Sequence, residues 1–332
     1  MKAMVLERQR PAADRPLALR DVAEPAPGPG EILVRVAACG VCRTDLHVIE
    51  GDLPAHRLPL VPGHQVVGRV AALGESASRF GKGDRVGIAW LRATCGTCAF
   101  CRDGRENLCA GSLYTGWDAD GGYAESAIVN ERFAYAIPEA LPDAEAAPLL
   151  CAGIIGYRAL RRTGIQPGQK LGLYGFGSSA HIVAQIARAF GCEIYVATRD
   201  AAHRELAEEL GAVWTGDTIA APPVALDAAI VFAPAGEIVP PALRALGKGG
   251  TLVLAGIHMT DVPSMGYDDC LFHEKTLTSV ESNTRIDGED LLREAARLRL
   301  RPRVTSFALA DANEALTALA RDALRGSAVL VP

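Results

Sequence analysis

No stripe of lysine and arginine runs through this chain: its net charge of -5 is spread along 332 residues, which favours no polyanionic partner over a small molecule. Nucleic acid is therefore not an expected ligand. Nor does any apolar run reach the roughly 18 residues of a membrane span, and Met1 to Leu6 shows no basic segment leading into an apolar core and cleavage site. A cytoplasmic protein without membrane contact is the expectation. Internal repeats and low-complexity tracts are missing, and with 49% hydrophobic and 22% charged residues the low-hydrophobicity, high-charge signature of disorder is missing too. Nine cysteines might suggest disulfides, but that reading belongs to small secreted chains, and most of these cysteines fall in metal-ligand spacings.

The length predicts two domains, each able to bury its own core. The first half reads as short β runs, such as Glu31 to Ala37 and Val66 to Leu73, punctuated by Gly and Pro turns. From about residue 168 the pattern turns to alternation: a run Lys170 to Tyr174, a helix Ser179 to Phe190, a run Glu193 to Ala197, a helix Ala201 to Leu210. The beat continues through Asp227 to Phe232, Ile238 to Leu246, Thr251 to Ile257 and Thr276 to Val280, which predicts a parallel Rossmann sheet of about six strands. Two amphipathic helices, Asp290 to Arg299 and Ala312 to Leu319, and a strand Ala328 to Val331 close the chain.

Cys95, Cys98, Cys101 and Cys109 stand in TCGTCAFCRDGRENLC, a spacing that lets four thiolates converge on one ion. A closed, structural zinc site is expected, with an iron-sulfur cluster as the rival. Downstream, YGFGSSA lies between the first strand of the alternating half and its helix. Gly175 and Gly177 would let the backbone approach a pyrophosphate seated on the helix N-terminus, with Ala180 at the third glycine position, so Gly175, Phe176, Gly177, Ser178 and Ser179 are the expected cofactor contacts. At the end of the second strand, where an acid would hold the ribose hydroxyls of NAD, stand Thr198 and Arg199; NADP is favoured over NAD, although Asp200 could partly serve the latter.

Three further segments hold Cys and His: ACGVCRTDLH (Ala38 to His47), PGHQVVG (Pro62 to Gly68) and PLLCAG (Pro148 to Gly153). None is convincing alone, since a single His or Cys is more often a packed core residue. Taken in order with the four-cysteine lobe, the GDRV at Gly83 to Val86 and the glycine-rich turn, they resemble the medium-chain zinc alcohol dehydrogenases nearly end to end. That resemblance implies a GroES-like, β-rich catalytic domain over residues 1–152 and 287–332 and a Rossmann domain over 153–286. It makes Cys42, His64 and Cys151 the catalytic zinc ligands, so that two zinc ions are expected per chain, and leaves Cys39 a bystander. It further implies a proton relay through Thr44 and His47, Asp45 as the carboxylate orienting a zinc-bound imidazole, Arg43 as a pyrophosphate contact, and Trp90, with Leu91 and the Leu113 to Trp117 segment, as pocket wall. An ion held by two thiolates and one imidazole keeps a fourth position and acts as a Lewis acid on an alcohol or carbonyl oxygen.

Two departures from the family pattern stand out. Gln65 replaces the usual Glu of the GHE motif, which removes a negative charge near the metal and is expected to leave activity intact. Ser327 follows Gly326 where relatives often carry an Arg, so cofactor binding would be looser on that side. The expected function is hydride transfer between a primary aliphatic or aromatic alcohol, or its aldehyde, and NAD(P). The alternatives are a polyol or sugar dehydrogenase, which commonly lacks a cysteine like Cys151, a zinc-free quinone or enone reductase on the same scaffold, and a non-catalytic zinc-stapled nucleotide sensor. A homodimer or homotetramer joined partly near Thr276 to Val280 is expected.

Overall fold

The alternating, β-branched run Glu31–Val41 forms an eleven-residue strand in the computed structural model, which describes every residue from Met1 to Pro332. It pairs antiparallel with Gln65–Leu73, Ser126–Asn130 and Ser327–Val331, at the centre of a seven-stranded sheet completed by Arg85–Ile88, Ala134–Ala136 and Val304–Ala308. Ile32, Val34, Val66, Ile88, Val129 and Leu330 have no exposed surface. They pack with Leu316 of the helix Ala312–Ala320 into one core cluster, so burial of this apolar face is the main stabilising term. This sheet belongs to a unit made of Met1–Ala152 and Ser282–Pro332.

The remaining unit is Gly153–Glu281. Its six strands are all parallel, in the order Trp214–Gly216, Glu193–Ala197, Lys170–Tyr174, Leu226–Val231, Leu246–Leu254, Thr276–Ser279. Counted along the chain this is the order 3-2-1-4-5-6 of a doubly wound Rossmann sheet. Such strands are covered on both faces, and Leu171, Leu173, Val196, Ile230, Val231 and Leu252 are accordingly buried. The helix Ser178–Ala189 buries Ala180, Ile182, Val183, Ala184, Ile186 and Ala187, an apolar stripe wide enough to cover the sheet. No helix is long and apolar enough to cross a membrane.

The chain returns to the first unit at Ser282, so residues 282–286, expected from the resemblance in the Rossmann domain, group with the first unit instead. The reason is polar: Asn283 Nδ2 donates to the Tyr135 hydroxyl at 3.3 Å, and Arg285 N donates to Glu106 Oε1 at 2.9 Å. The last long helix also starts earlier than its apolar pattern suggested. It spans Arg285–Leu298, because Thr284 and Asp287 form a capping box that satisfies N–H groups of its first turn.

Candidate active site

Strand register brings the first two candidate ligands together. Gly40 stands opposite Gln65 in the antiparallel ladder, so Cys42, just beyond Val41, and His64, just before Gln65, leave the sheet at the same end. Cys151 arrives from a third direction, on the turn after the 3-10 segment Ala147–Leu150, whose Leu149 and Leu150 are wholly buried anchors. Cys42 Sγ lies 3.4 Å from His64 Nε2 and 3.9 Å from Cys151 Sγ, and the three donor atoms lie within 4.8 Å of one another. Around a tetrahedral zinc with ordinary bond lengths, S···N and S···S separations are about 3.5 and 3.8 Å. The donor set fits one such ion.

Asp45 fixes two of the three partners. It is the third residue of the helix Arg43–Glu50, where its Oδ2 accepts the Cys42 N–H at 2.8 Å as a capping box. Its Oδ1 lies 3.1 Å from His64 Nδ1. With Nδ1–H donated to the carboxylate, Nε2 faces the thiols and offers a lone pair there once its own proton is displaced. Both side chains are buried, at 1% and 2% exposure. Burial opposes a charged His64, but the neighbouring charges of Asp45 and Cys42 outweigh it and bring the imidazole up to about 10. The Cys42 thiol is pushed well up by its contact with Cys151 and by burial. A cation entering here must displace protons, so its affinity should rise with pH.

The second cluster is Cys95, Cys98, Cys101 and Cys109. Cys95 Sγ lies 3.9 Å from Cys101 Sγ and 3.5 Å from Cys109 Sγ. Backbone N–H groups of Cys98, Cys95 and Gly111 donate to the sulfurs at 3.3–3.4 Å. Hydrogen bonds from the Thr97 and Cys98 backbone pull the Cys95 thiol down to about 6. Donors aimed at sulfur favour thiolates, which are the metal-ligating form. Four thiols and a loop with little apolar content fit a closed ion site better than a packed core. Cys39 belongs to neither cluster; it is buried in the sheet with its thiol near Gly40 O.

Thr44, buried, and His47, mostly buried, are three apart on the helix and therefore share one face. Arg43 is half exposed and pairs with Asp322. Gln65 is buried with no partner for its Nε2. Trp90 lies edge-on to His64, ring centroids 5.0 Å apart, and is stacked with Tyr114 at 4.9 Å and Trp117 at 5.9 Å. Val48, Leu53 and Leu60 pack around these rings. Leu91, expected as a wall, instead lies in the main core, because neighbouring residues of an extended segment face opposite sides. Sequence reasoning missed His56, stacked on Trp117 at 4.1 Å, and Asp52, whose Oδ2 lies 2.8 Å from His47 Nδ1. Neither sits in a recognisable spacing.

In the parallel-sheet unit, Gly175 follows strand Lys170–Tyr174 with φ 85°, a left-handed conformation that only glycine adopts without strain. An added Cβ there would come within 3.0 Å of Ala233 N, so the turn lies close against the chain leaving the neighbouring strand. Gly177 caps the helix Ser178–Ala189 without a side chain, and a Cβ on it would meet only open space. That leaves room for an anion over the helix N-terminus. Phe176 is buried between the two glycines. Thr198 is buried and Arg199 exposed at the end of the next strand. Asp200 is spent as an N-cap, accepting from His203 N at 3.1 Å, and Arg204 Nη1 donates to Thr198 O at 2.7 Å.

Known proteins share these features. Residues 28–139 match the alcohol dehydrogenase GroES-like domain, and residues 180–297 match the zinc-binding dehydrogenase family. The chain is 52% identical over 336 residues to the probable alcohol dehydrogenase AdhA of Mycobacterium tuberculosis, covering 100% of this chain and 97% of that one. Among solved structures, a cinnamyl alcohol dehydrogenase of Sorghum bicolor superposes with a TM-score of 0.90 at 28% identity, covering 99% and 97% of the two chains. A thermostable alcohol dehydrogenase from Pyrobaculum aerophilum with cobalt and zinc bound reaches 0.90 at 26% identity, covering 100% and 99%.

Proposed function

This chain belongs to the zinc-dependent medium-chain alcohol dehydrogenases, and from that premise we propose that it interconverts a primary alcohol bearing a planar, aromatic group and its aldehyde, with NADP as the favoured nicotinamide cofactor. The observation that carries this reading is the convergence of Cys42, His64 and Cys151 at tetrahedral spacings. Two cysteines and a histidine are the catalytic ligand set of this family, and the lobe cysteines would hold a second, structural zinc.

When bound, zinc supplies Lewis acidity at the substrate oxygen and the nicotinamide supplies a hydride acceptor. The chain's residues do the rest. Asp45 holds the His64 ring so that Nε2 faces the site. The Thr44 hydroxyl takes up the proton leaving the alcohol and passes its own to His47, which hands it to solvent. Gly175, Phe176, Gly177, Ser178 and Ser179 form the seat for the pyrophosphate. With Asp200 engaged as a helix cap, no carboxylate at that strand end opposes a 2′-phosphate, and Arg199 favours it. The stacked faces of Trp90, Tyr114 and Trp117 favour a flat ring over a polyol. The edge position of Thr276–Ser279 suits pairing between copies in a dimer or tetramer.

The test is metal analysis of the purified protein, combined with NADPH and NADH oxidation across aromatic, aliphatic and ketose substrates. Two zinc ions per chain and NADPH-dependent reduction of an aromatic aldehyde are expected. A Cys42→Ser, Cys151→Ser variant that kept both ions and full activity would overturn the assignment.

A further inference from the structure

Between the strands Lys2–Leu6 and Leu17–Asp21 the chain makes an arginine-rich loop, ERQRPAADRP, from Glu7 to Pro16. The loop is held at both ends and in its middle. Leu6 N donates to Leu60 O at 2.8 Å, Arg10 N to Ile49 O at 3.0 Å and Ala12 N to Glu50 Oε1 at 2.9 Å. Gln9 Nε2 donates to Val48 O at 2.6 Å and to Leu53 O at 2.9 Å. At the far end Asn313 clasps Leu17, accepting its N–H at 3.1 Å and donating to its carbonyl at 2.8 Å. Arg15 takes φ 52° and ψ 59° after the 3-10 turn Ala12–Asp14, a left-handed conformation that a residue other than glycine adopts at a cost. Past that reversal, Arg15 and Pro16 line a cavity of about 330 Å³ together with Glu7, Arg8 and Arg10.

The charge around this cavity does not balance. Glu7 is engaged from outside by Arg20, whose Nε and Nη2 donate to its Oε1 at 3.2 and 2.9 Å. Arg15 Nη2 donates to Glu314 Oε1 at 2.6 Å, which leaves most of the donors of that guanidinium unused. Arg8 and Arg10 are exposed and pair with no carboxylate, and Asp14 and Glu50 do not line the cavity. With both ion pairs counted as neutral, two guanidinium charges face it uncompensated, in a chain whose net charge is -5. Like charges gathered round one cavity repel one another; an anion there offsets the repulsion and accepts charge-assisted hydrogen bonds. Planar guanidinium forks match the oxygens of a phosphate, and a loop already held in place has little order left to gain on binding. We propose that this cavity binds a small, free phosphate-type dianion, inorganic phosphate or a compact phosphomonoester, through Arg8 and Arg10 with Arg15 as a third donor. The bound anion stabilises the fold, because it ties together a loop that is hydrogen-bonded to the end of the helix Arg43–Glu50.

The experiment titrates inorganic phosphate into the zinc-loaded enzyme near pH 8, where phosphate is a dianion, with NADP saturating so that the cofactor's own phosphate seat is filled. Ionic strength is held constant with sodium chloride, which screens without bridging. Saturable binding at one site per chain, read by calorimetry, and a rise in Tm are expected. In the Arg8→Gln, Arg10→Gln variant the affinity should fall by at least about tenfold. Arg8→Lys, Arg10→Lys, which keeps the charge and loses the forks, should fall between. Arg20→Gln, outside the cavity, frees the Glu7 carboxylate and should weaken binding by a few fold. Zinc content, kcat and KM for NADPH should match the parent throughout, which shows that each variant is folded. Unsaturable heats, or equal affinity in parent and Arg8→Gln, Arg10→Gln, would overturn the proposal. So would a raised KM for NADPH in that variant, which would give the arginines to the cofactor. Sedimentation with phosphatidic acid vesicles that free phosphate does not compete away would assign them to a lipid headgroup and overturn it as well.

Discussion

Replacing Asp45 by alanine should weaken the binding of an ion by Cys42, His64 and Cys151 and leave ion binding by the four-cysteine lobe unchanged. The structure sets the size of the effect. One carboxylate serves two buried donors, His64 Nδ1 at 3.1 Å and the Cys42 N–H at 2.8 Å. Alanine removes both acceptors, and each stranded N–H costs about 1–3 kcal/mol. The imidazole loses its orienting partner and the helix Arg43–Glu50 loses its capping box. Loss of such a partner weakens metal binding by about 10–100-fold, so Asp45→Ala belongs near the upper end. Asparagine keeps one acceptor oxygen and should sit near the lower end. The pH dependence has a definite sign. Asp45 helps to bring His64 up to about 10, so the parent's affinity keeps rising with pH as the proton competing with the metal is removed. Without that charge the competition ends at lower pH, and the gap between parent and variant should widen from pH 7 to pH 9. The assay is competition against a chromogenic zinc chelator, read as two separate release phases. Equal affinity of parent and Asp45→Ala at pH 9, or weakening of both ions alike, would refute the reasoning.

Further outcomes follow from other parts of the molecule. Cys101→Ser should leave one zinc per chain and open the lobe to tryptic cleavage at Arg102 or Arg105; retention of both ions would remove its structural role. Burial works against ionisation of Glu106, but hydrogen bonds and charge from Arg285 hold its carboxyl below the usual range. Its stabilising effect is present above the ordinary carboxylate pKa of roughly 4.3 and fades as pH falls through the depressed value. Glu106→Gln should therefore lower the urea midpoint at pH 7, by about 1–3 kcal/mol in stability, with the difference from the parent shrinking below roughly pH 4; a difference constant with pH would contradict this. Thr198→Asp with Arg199→Ala should raise KM for NADPH about tenfold without harming NADH, and unchanged NADPH kinetics would remove the case for a 2′-phosphate contact. Trp90→Ala should reduce kcat/KM about tenfold for an aromatic aldehyde and far less for acetaldehyde; equal losses would mean the ring is only core.

What could be read from the sequence was what short stretches of backbone decide. Four cysteines in a span from Cys95 to Cys109 can meet without help from the rest of the fold. The turn at Gly175 and Gly177 is set by its own glycines and the helix that follows, and the parallel alternation after residue 168 follows from periodicity. The trio was legible only through resemblance, because Cys42, His64 and Cys151 come from three segments, and nothing local says that Gly40 stands opposite Gln65. Tertiary structure alone decided the rest. Asp52 meets His47 because a left-handed glycine and Gln9 fold the turn back. Leu91 goes to the core while Trp90 joins the aromatic stack, and residues 282–286 leave the parallel-sheet unit because Tyr135 and Glu106 hold them. Each of these depends on which surfaces meet across long sequence separations, information carried by packing and strand register rather than by any one segment.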